Sequence, residues 1–339
     1  MIKYLYSLVS DASDFYLEQT LLSATSLRLQ MPNAFISLLA DDITAASLTG
    51  KRAEILKLVD EFKSVKIDKC FNKVARSRWL KTSMRRLIEG DFLYIDNDTI
   101  ISDNLSSITD TEAELGAVLD DHTYISEYKK FRPKRLRDIQ KLFKKCRFDS
   151  PFEYKTYFNG GIFFCKDCKA GHDFFNQWHS LWLHCHDLNI LTDMQSLNQA
   201  NYNMGNIIKE LDGIWNCQLM HDGALKHFYN AKIIHYFATH VHDKPFLFAN
   251  RECLESIKES GTINQGIMDM LKTPKTQFAS SARIFLIDDT LREFYDSATF
   301  GAAKRIYYTV FGKIVEMIFS KIKKNVFTPL RKKLYNKRK

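Results

Sequence analysis

The chain has 339 residues, 45% hydrophobic and 13% aromatic, which is enough to bury a large core and too apolar for a disordered chain. Its net charge of +9 is unevenly spread: residues 301–339 hold 12 Lys/Arg and one acidic residue, Glu316, leaving 37 basic against 39 acidic residues in 1–300. The body is near neutral, which argues against a nucleic-acid-binding domain, and no window approaches the roughly 20 apolar residues of a membrane-spanning helix.

Met1–Ser7 runs straight into a strand without a basic stretch and a long apolar one, so no secretory leader is expected. Tyr4–Val9 reads as a buried strand, Phe15–Leu29 as a helix with Leu17, Leu21, Leu22 and Leu27 on one side, and Ala34–Leu39 as a second strand. Strand, helix, strand in some forty residues begins a parallel α/β sheet. Ala53–Phe62 is expected to be helical, Val65–Ile67 a short strand and Arg78–Ile88 a helix leading into the strand Asp91–Ile95. Further on, Leu115–Leu119 reads as a strand, Tyr124–Arg147 as a basic and aromatic excursion, and Tyr157–Cys165 as a strand. Helices are predicted at His172–His184 and Met194–Asn201, and short strands at Gln218–His221 and Ile233–Tyr236. Seven scattered cysteines suit reduced thiols in a cytoplasm, and Cys165–Cys168, with no second pair at zinc-ribbon distance, is assigned no function.

The motif richest in chemistry is Phe92-Leu93-Tyr94-Ile95-Asp96-Asn97-Asp98. Asp96 falls at the carboxyl end of a buried strand, the edge where open α/β sheets bind ligands. Two carboxylates at i and i+2 can chelate a hard divalent cation, which can in turn hold a diphosphate. His235, in Ile233-Ile234-His235-Tyr236, can complete an oxygen-rich site as a neutral imidazole, and Lys244 supplies a compact cation for a phosphate. His240 and His242 share that segment, and spacing alone does not choose among the three histidines.

Four landmarks, Leu93–Asp98, Phe158–Phe164, Thr192–Asn198 and Ile233–Phe246, occur in the order found in glycosyltransferase family 8, which the chain resembles over roughly residues 2–247. The family contains glycogenin and bacterial lipopolysaccharide galactosyl- and glucosyltransferases. The resemblance implies a GT-A fold, Rossmann-like and of the nucleotide-diphospho-sugar transferase type, with a mixed central sheet and a C-terminal helical extension. It further implies metal-dependent transfer of a hexose, with retention, from a UDP-sugar to a glycan or glycolipid acceptor such as a lipopolysaccharide or capsule. Mn2+ or Mg2+ would be held by Asp96, Asp98 and His235. The donor would meet Ser7, Arg78, Lys81, Asn97, Gly160 and Lys244, and the transferred sugar Asn159, Asp193 and Gln195. Asp120 falls where the family places a sugar-contacting carboxylate. Two departures stand out: Phe246 replaces a Trp after Lys244-Pro245, and Met194 occupies the expected Gln position, so that Gln195 serves only if the alignment shifts by one. An inactive sugar-nucleotide-binding protein and an inverting transferase of the same fold are the alternatives.

Tyr307, Phe311, Ile314, Ile318 and Ile322 recur at helical spacing among lysines, a pattern suited to an anionic bilayer surface. The expected organisation is a catalytic domain at 1–255, a helical or irregular extension at 256–300 and a basic membrane-associating tail at 301–339. The expected location is cytoplasmic, peripheral on the inner face of the cell membrane.

Overall fold

The structure is a computed structural model that describes residues 1–149, 154–219, 223–237, 247–281, 298–307 and 309–322. Lys244, Phe246, His240, His242 and the cationic end beyond residue 322 lie outside the described residues. The chain forms two compact units, Met1–Phe285 and Leu286–Lys339.

In the first unit, strand β1 (Lys3–Leu8) is followed by helix α1 (Tyr16–Gln30) and strand β2 (Phe35–Asp41). The short helix α2 (Asp42–Ser47) starts on Asp41, whose carboxylate accepts from the Thr44 N–H, and leads to a 3-10 helix (Gly50–Lys57) and strand β3 (Glu61–Val65). Helix α3 (Lys73–Leu87), capped by the Asn72 side chain on the Ala75 N–H, delivers the chain into β4 (Phe92–Ile95). Next come β5 (Thr99–Ile101), β6 (Leu115–Leu119), helices α4 (Ile125–Phe131) and α5 (Pro133–Cys146), and β7 (Phe158–Cys165). Helices α6 (Lys169–Asp187) and α7 (Met194–Asn203) precede β8 (Lys209–Glu210), β9 (Cys217–Gln218), helix α8 (Ala224–Phe228) and β10 (Ile233–His235).

These strands build a seven-stranded sheet in the order β3-β2-β1-β4-β7-β6-β8 and a three-stranded sheet in the order β5-β10-β9. Strands β1 to β4 are mutually parallel, whereas β7 runs antiparallel to both β4 and β6, so the main sheet is mixed. β1 is buried on both sides: Tyr4, Tyr6 and Leu8 enter one core and Leu5 and Val9 the other.

Two segments depart from the sequence expectation. Only the first half of Ala53–Phe62 is helical, as the end of the 3-10 helix, and Glu61–Val65 is an edge strand pairing Ser37 with Glu61. Its interior side chains, Phe62 to Ser64, are exposed, so it lacks the apolar alternation that marks a half-buried strand. The basic excursion at 124–147 is the α4–α5 helix pair, whose Tyr128, Leu136, Ile139 and Phe143 form a small core with Tyr154 and Tyr157.

Helices α9 (Arg251–Ser260), α10 (Gln265–Lys272) and α11 (Pro274–Ser281) follow. Leu254, Ile257, Ile267, Leu271 and Phe278 belong to the same core cluster as Leu17 and Leu21 of α1, so the expected boundary at 255 falls inside a shared core. The second unit contains helices at Ala298–Tyr307 and Val310–Ile322. The apolar stripe is thus divided between two helices, and Phe311, Ile314 and Ile318 on the second are exposed.

Candidate active site

The loops after β1 and β4 and the glycine pair in β7 surround a cleft of about 450 Å³ at the carboxyl ends of the parallel strands. Ser7, Arg78, Lys81, Asp96, Asn97, Asp98, Asn159, Gly160, Asp193 and His235 all line it. Strand register brings them together. β4 and β7 pair Ile95 with Ile162, and the Asp96 N–H donates to the Gly161 carbonyl at 2.8 Å, which sets the first carboxylate beside Gly160-Gly161. The chain then crosses into the second sheet, where Thr99 pairs with His235, so Asp98 meets the imidazole.

Asp96, Asp98 and His235 each offer one ligand atom within 4.8 Å of the others. Asp98 Oδ1 lies 3.1 Å from His235 Nε2. Asp96 Oδ1 accepts from the Tyr94 hydroxyl at 2.6 Å and from Lys81 Nζ at 3.0 Å. Burial, with Asp96 alongside, pushes the Tyr94 hydroxyl well above its ordinary range, so it stays a donor.

The His235 tautomer follows from a backbone donor. The Gly161 N–H donates to Asn159 Oδ1 at 2.8 Å, which fixes that amide. Asn216 must therefore present its Nδ2 to the same oxygen, at 3.0 Å, and its Oδ1 to His235 Nδ1, at 2.9 Å. Nδ1 is then a donor, and Nε2 faces Asp98 Oδ1 at 3.1 Å, a gap that either a ring proton or a shared cation can bridge. Two carboxylates and a lone-pair imidazole, oriented from behind by an amide, fit a divalent metal. The close seating of the ring requires glycine at 161, because a Cβ there would stand 2.5 Å from His235 Cε1 and 2.9 Å from Nδ1.

Asp193 precedes the first turn of α7, and α7 is pinned to β7 by Asn198, which accepts from the Phe158 N–H at 2.7 Å and donates to its carbonyl at 3.1 Å. Its carboxylate is 5% exposed, 3.3 Å from Arg78 Nε and 3.7 Å from Lys81 Nζ. Burial alone would raise its pKa, but the Lys81 and Arg78 cations outweigh that and hold it below the usual carboxylate range. It is an ionised acceptor facing the cleft. Ser7 Oγ hydrogen-bonds the Tyr94 hydroxyl at 3.2 Å, and the Ser7 carbonyl accepts from Asn97 Nδ2 at 3.0 Å.

Gln195 is placed differently from its neighbours. It is buried, accepts from Thr192 Oγ1 at 2.6 Å and donates to the Tyr157 hydroxyl at 3.5 Å, while Met194 forms the cleft wall. Asn198, bonded to Phe158 of β7, fixes the rotational phase of α7 and leaves Gln195 outside the cleft lining. Asp120 sits one layer back: Asn159 Nδ2 donates to it at 3.0 Å and Arg135 at 2.7 Å. Sequence reasoning missed Asn216, which follows Trp215 in no local motif. It also missed Tyr94, Tyr16, Asp14 and Lys73 in the cleft lining; the first precedes Asp96 by two in a strand and so faces the same side.

Fold and cleft together define the class: an α/β protein with a candidate divalent-cation site beside a polar cleft at the carboxyl edge of its sheet. Residues 8–246 match the sequence profile described as Glycosyl transferase family 8, and the chain belongs to that family. Among solved structures it is similar to the galactosyltransferase LgtC in complex with donor and acceptor sugar analogues, with 16% identity and a TM-score of 0.49 over 79% of this chain and 99% of that one. An active-site mutant of LgtC gives 15% identity and a TM-score of 0.50 over 78% and 98%. The glycosyltransferase GlyE of Streptococcus pneumoniae gives 16% and 0.47 over 80% and 64%. No curated protein sequence matches. The mixed sheet is that of a GT-A glycosyltransferase, and the chain is a glycosyltransferase of family 8, a family that takes a nucleotide-sugar donor. No helix among the described residues is long and apolar enough to cross a membrane.

Proposed function

We propose that the chain moves a hexose from a UDP-sugar to a surface glycan or glycolipid, such as a lipopolysaccharide or capsule, with retention at the anomeric carbon. The observation that carries this reading is the convergence of Asp96, Asp98 and the Nδ1-protonated His235 on one floor, with Asn159, Gly160 and ionised Asp193 beyond it. A Mn2+ or Mg2+ ion held by the first three would supply positive charge to the diphosphate leaving group. Lys244 is proposed as a second phosphate contact.

The protein's own groups then have distinct tasks. Asn97 Oδ1 and Asp193 Oδ2 are buried without a hydrogen-bond partner among the described residues, so a donor's hydroxyls can satisfy both. Lys81 and Arg78 keep Asp193 ionised and close to the sugar position, and Gly160 lets the sugar approach the backbone. The bond from the anomeric carbon to the phosphate oxygen breaks, the acceptor oxygen bonds to that carbon on the same face, and the acceptor proton passes to the departing phosphate oxygen. Met194 contributes an apolar wall rather than a nucleophile. That same residue is what favours the rival reading, a sugar-nucleotide-binding protein without turnover. The basic second unit is proposed to hold the enzyme on the cytoplasmic face of an anionic membrane, through exposed Phe311, Ile314 and Ile318 with lysines around them.

UDP release with Mn2+ is measured across UDP-glucose, UDP-galactose and their N-acetyl forms. Release from one donor, abolished in Asp96→Asn, is expected; none from any donor, with binding unchanged in Asp96→Asn, refutes turnover. An inverted anomer by NMR of the product refutes retention. Equal pelleting with liposomes by the full chain and a truncation at Gly301 refutes the membrane assignment.

A further inference from the structure

We infer that the exposed face of α5 is a docking surface for an anionic acceptor, a linear glycan bearing phosphate or carboxylate groups. The inference rests on the transferase reading in one respect only: it names what the second substrate carries.

Residues 125–147 hold ten Lys/Arg against Glu127 and Asp138, so the rest of 1–300 is left with 27 basic and 37 acidic residues. Charge is thus segregated onto this helix pair. Along α5, Lys134, Arg137, Lys141, Lys144 and Lys145 stand at offsets of 0, 3, 7, 10 and 11, and all five are exposed. At 3.6 residues per turn they fall in a stripe about 100° wide and about 16 Å long. Among the described residues of α5, Asp138 is the one carboxylate beside it, 3.6 Å from Lys141. Like charges three and four apart repel, so nothing in the helix itself favours this arrangement.

The chemistry of the stripe selects among anions. The opposite face of α5, with Leu136, Ile139, Phe143 and Cys146, is buried against the body. No apolar side remains for insertion into a bilayer, which separates α5 from the helix at 310–322 with its exposed Phe311 and Ile314. From Lys134 to Lys144 successive cations rise by about 5 Å along the axis, a ladder that suits repeated charges on an extended chain better than one phosphate.

Its position selects the acceptor. Arg135, beside the stripe, reaches Asp120 at 2.7 Å; Asp120 holds Asn159 at 3.0 Å, and Asn159 lines the cleft. Met194, in the cleft wall, packs on the core that α4 and α5 share. Arg135, Asp120 and Asn159 thus link α5 to the cleft, and the acceptor chain is proposed to run along α5 towards it.

The test uses the full-length protein without donor or metal and a fluorescent heparin hexasaccharide as probe, with maltohexaose as its neutral counterpart. The triple variant Arg137→Gln/Lys141→Gln/Lys144→Gln is expected to bind the probe roughly tenfold more weakly, while Lys332→Gln/Lys333→Gln/Lys337→Gln loses less. Bound probe is expected to protect Lys134, Lys141 and Lys144 from acetylation, read by mass spectrometry. Unchanged affinity in the α5 variant, or protection confined to lysines beyond residue 320, overturns the inference. So does loss of phosphatidylglycerol-vesicle binding with the hexasaccharide retained, which hands the stripe to a bilayer, or tighter binding of a single-stranded oligonucleotide than of the hexasaccharide. Binding is read apart from catalysis, so failure here leaves the UDP-release result standing, and the reverse holds too.

Discussion

Replacing Asn216 with alanine removes the acceptor that keeps the proton of His235 on Nδ1. The imidazole is 2% exposed, and its Nδ1 to Asn216 Oδ1 distance is 2.9 Å, so water cannot easily take the vacated place. A buried N–H stranded in this way costs about 1–3 kcal/mol. Removing the partner that orients a metal-ligating histidine costs about 10–100-fold in metal affinity, which is about 1.4–2.7 kcal/mol, so the two routes agree. Mn2+ titration by calorimetry, or by the electron paramagnetic resonance signal of the free ion, reads this without any turnover. Asn216→Asp is the discriminating control. It still accepts from Nδ1, but it turns a buried carboxylate oxygen towards Asn159 Oδ1 where the amide donated at 3.0 Å. Asn216→Asp should thus bind Mn2+ more tightly than Asn216→Ala while losing stability in chemical denaturation. Wild-type Mn2+ binding in Asn216→Ala, with Asp98→Asn abolishing it, would refute the tautomer argument.

Asp193→Ala should lower UDP release by about 100-fold. Gln195→Leu, which removes a partner of the buried Tyr157 hydroxyl, should instead cost about 1 kcal/mol of stability in chemical denaturation with little change in turnover; equal kinetic losses would contradict the placement of Gln195. Gly161→Ala puts a Cβ against the His235 ring at a cost of about 1–3 kcal/mol and should erase the Mn2+-induced rise in melting temperature. Gly116→Ala, whose Cβ comes nearest to the Leu211 side chain, should preserve that rise. Burial pushes the His179 imidazole from 6.5 down to about 4. Between those values the unfolded chain binds a proton that the folded one does not, so stability falls as the pH drops from 6.5 towards 4, by up to about 3 kcal/mol from this group. His179→Gln should flatten that acid limb in denaturant midpoints; parallel curves would assign the loss elsewhere.

Much of the site is legible in the sequence because its parts sit beside strand ends and helix starts. Asp96 ends a continuous apolar strand, Asn159 opens another, Asp193 precedes a helix and His235 closes a short strand, each marked by local pattern. Where the local pattern is ambiguous the reading fails: Glu61–Val65 is a strand only because β2 offers it a partner, and α4–α5 is helical although its charge hides the apolar face.

Residue types and their order determine that this chain folds as α/β, carries paired carboxylates at a strand end and belongs with the family-8 transferases. Tertiary structure alone decides how those residues face one another. The β5 to β10 register sets His235 against Asp98, and β9 beside β10 brings Asn216 behind the imidazole across 19 residues of chain. The phase of α7, held by Asn198 on β7, turns Met194 into the cleft and Gln195 away from it. Periodicity reports which side of an element is apolar, but the direction of a single polar side chain depends on hydrogen bonds to residues distant in sequence, and these exist only once the sheets have paired.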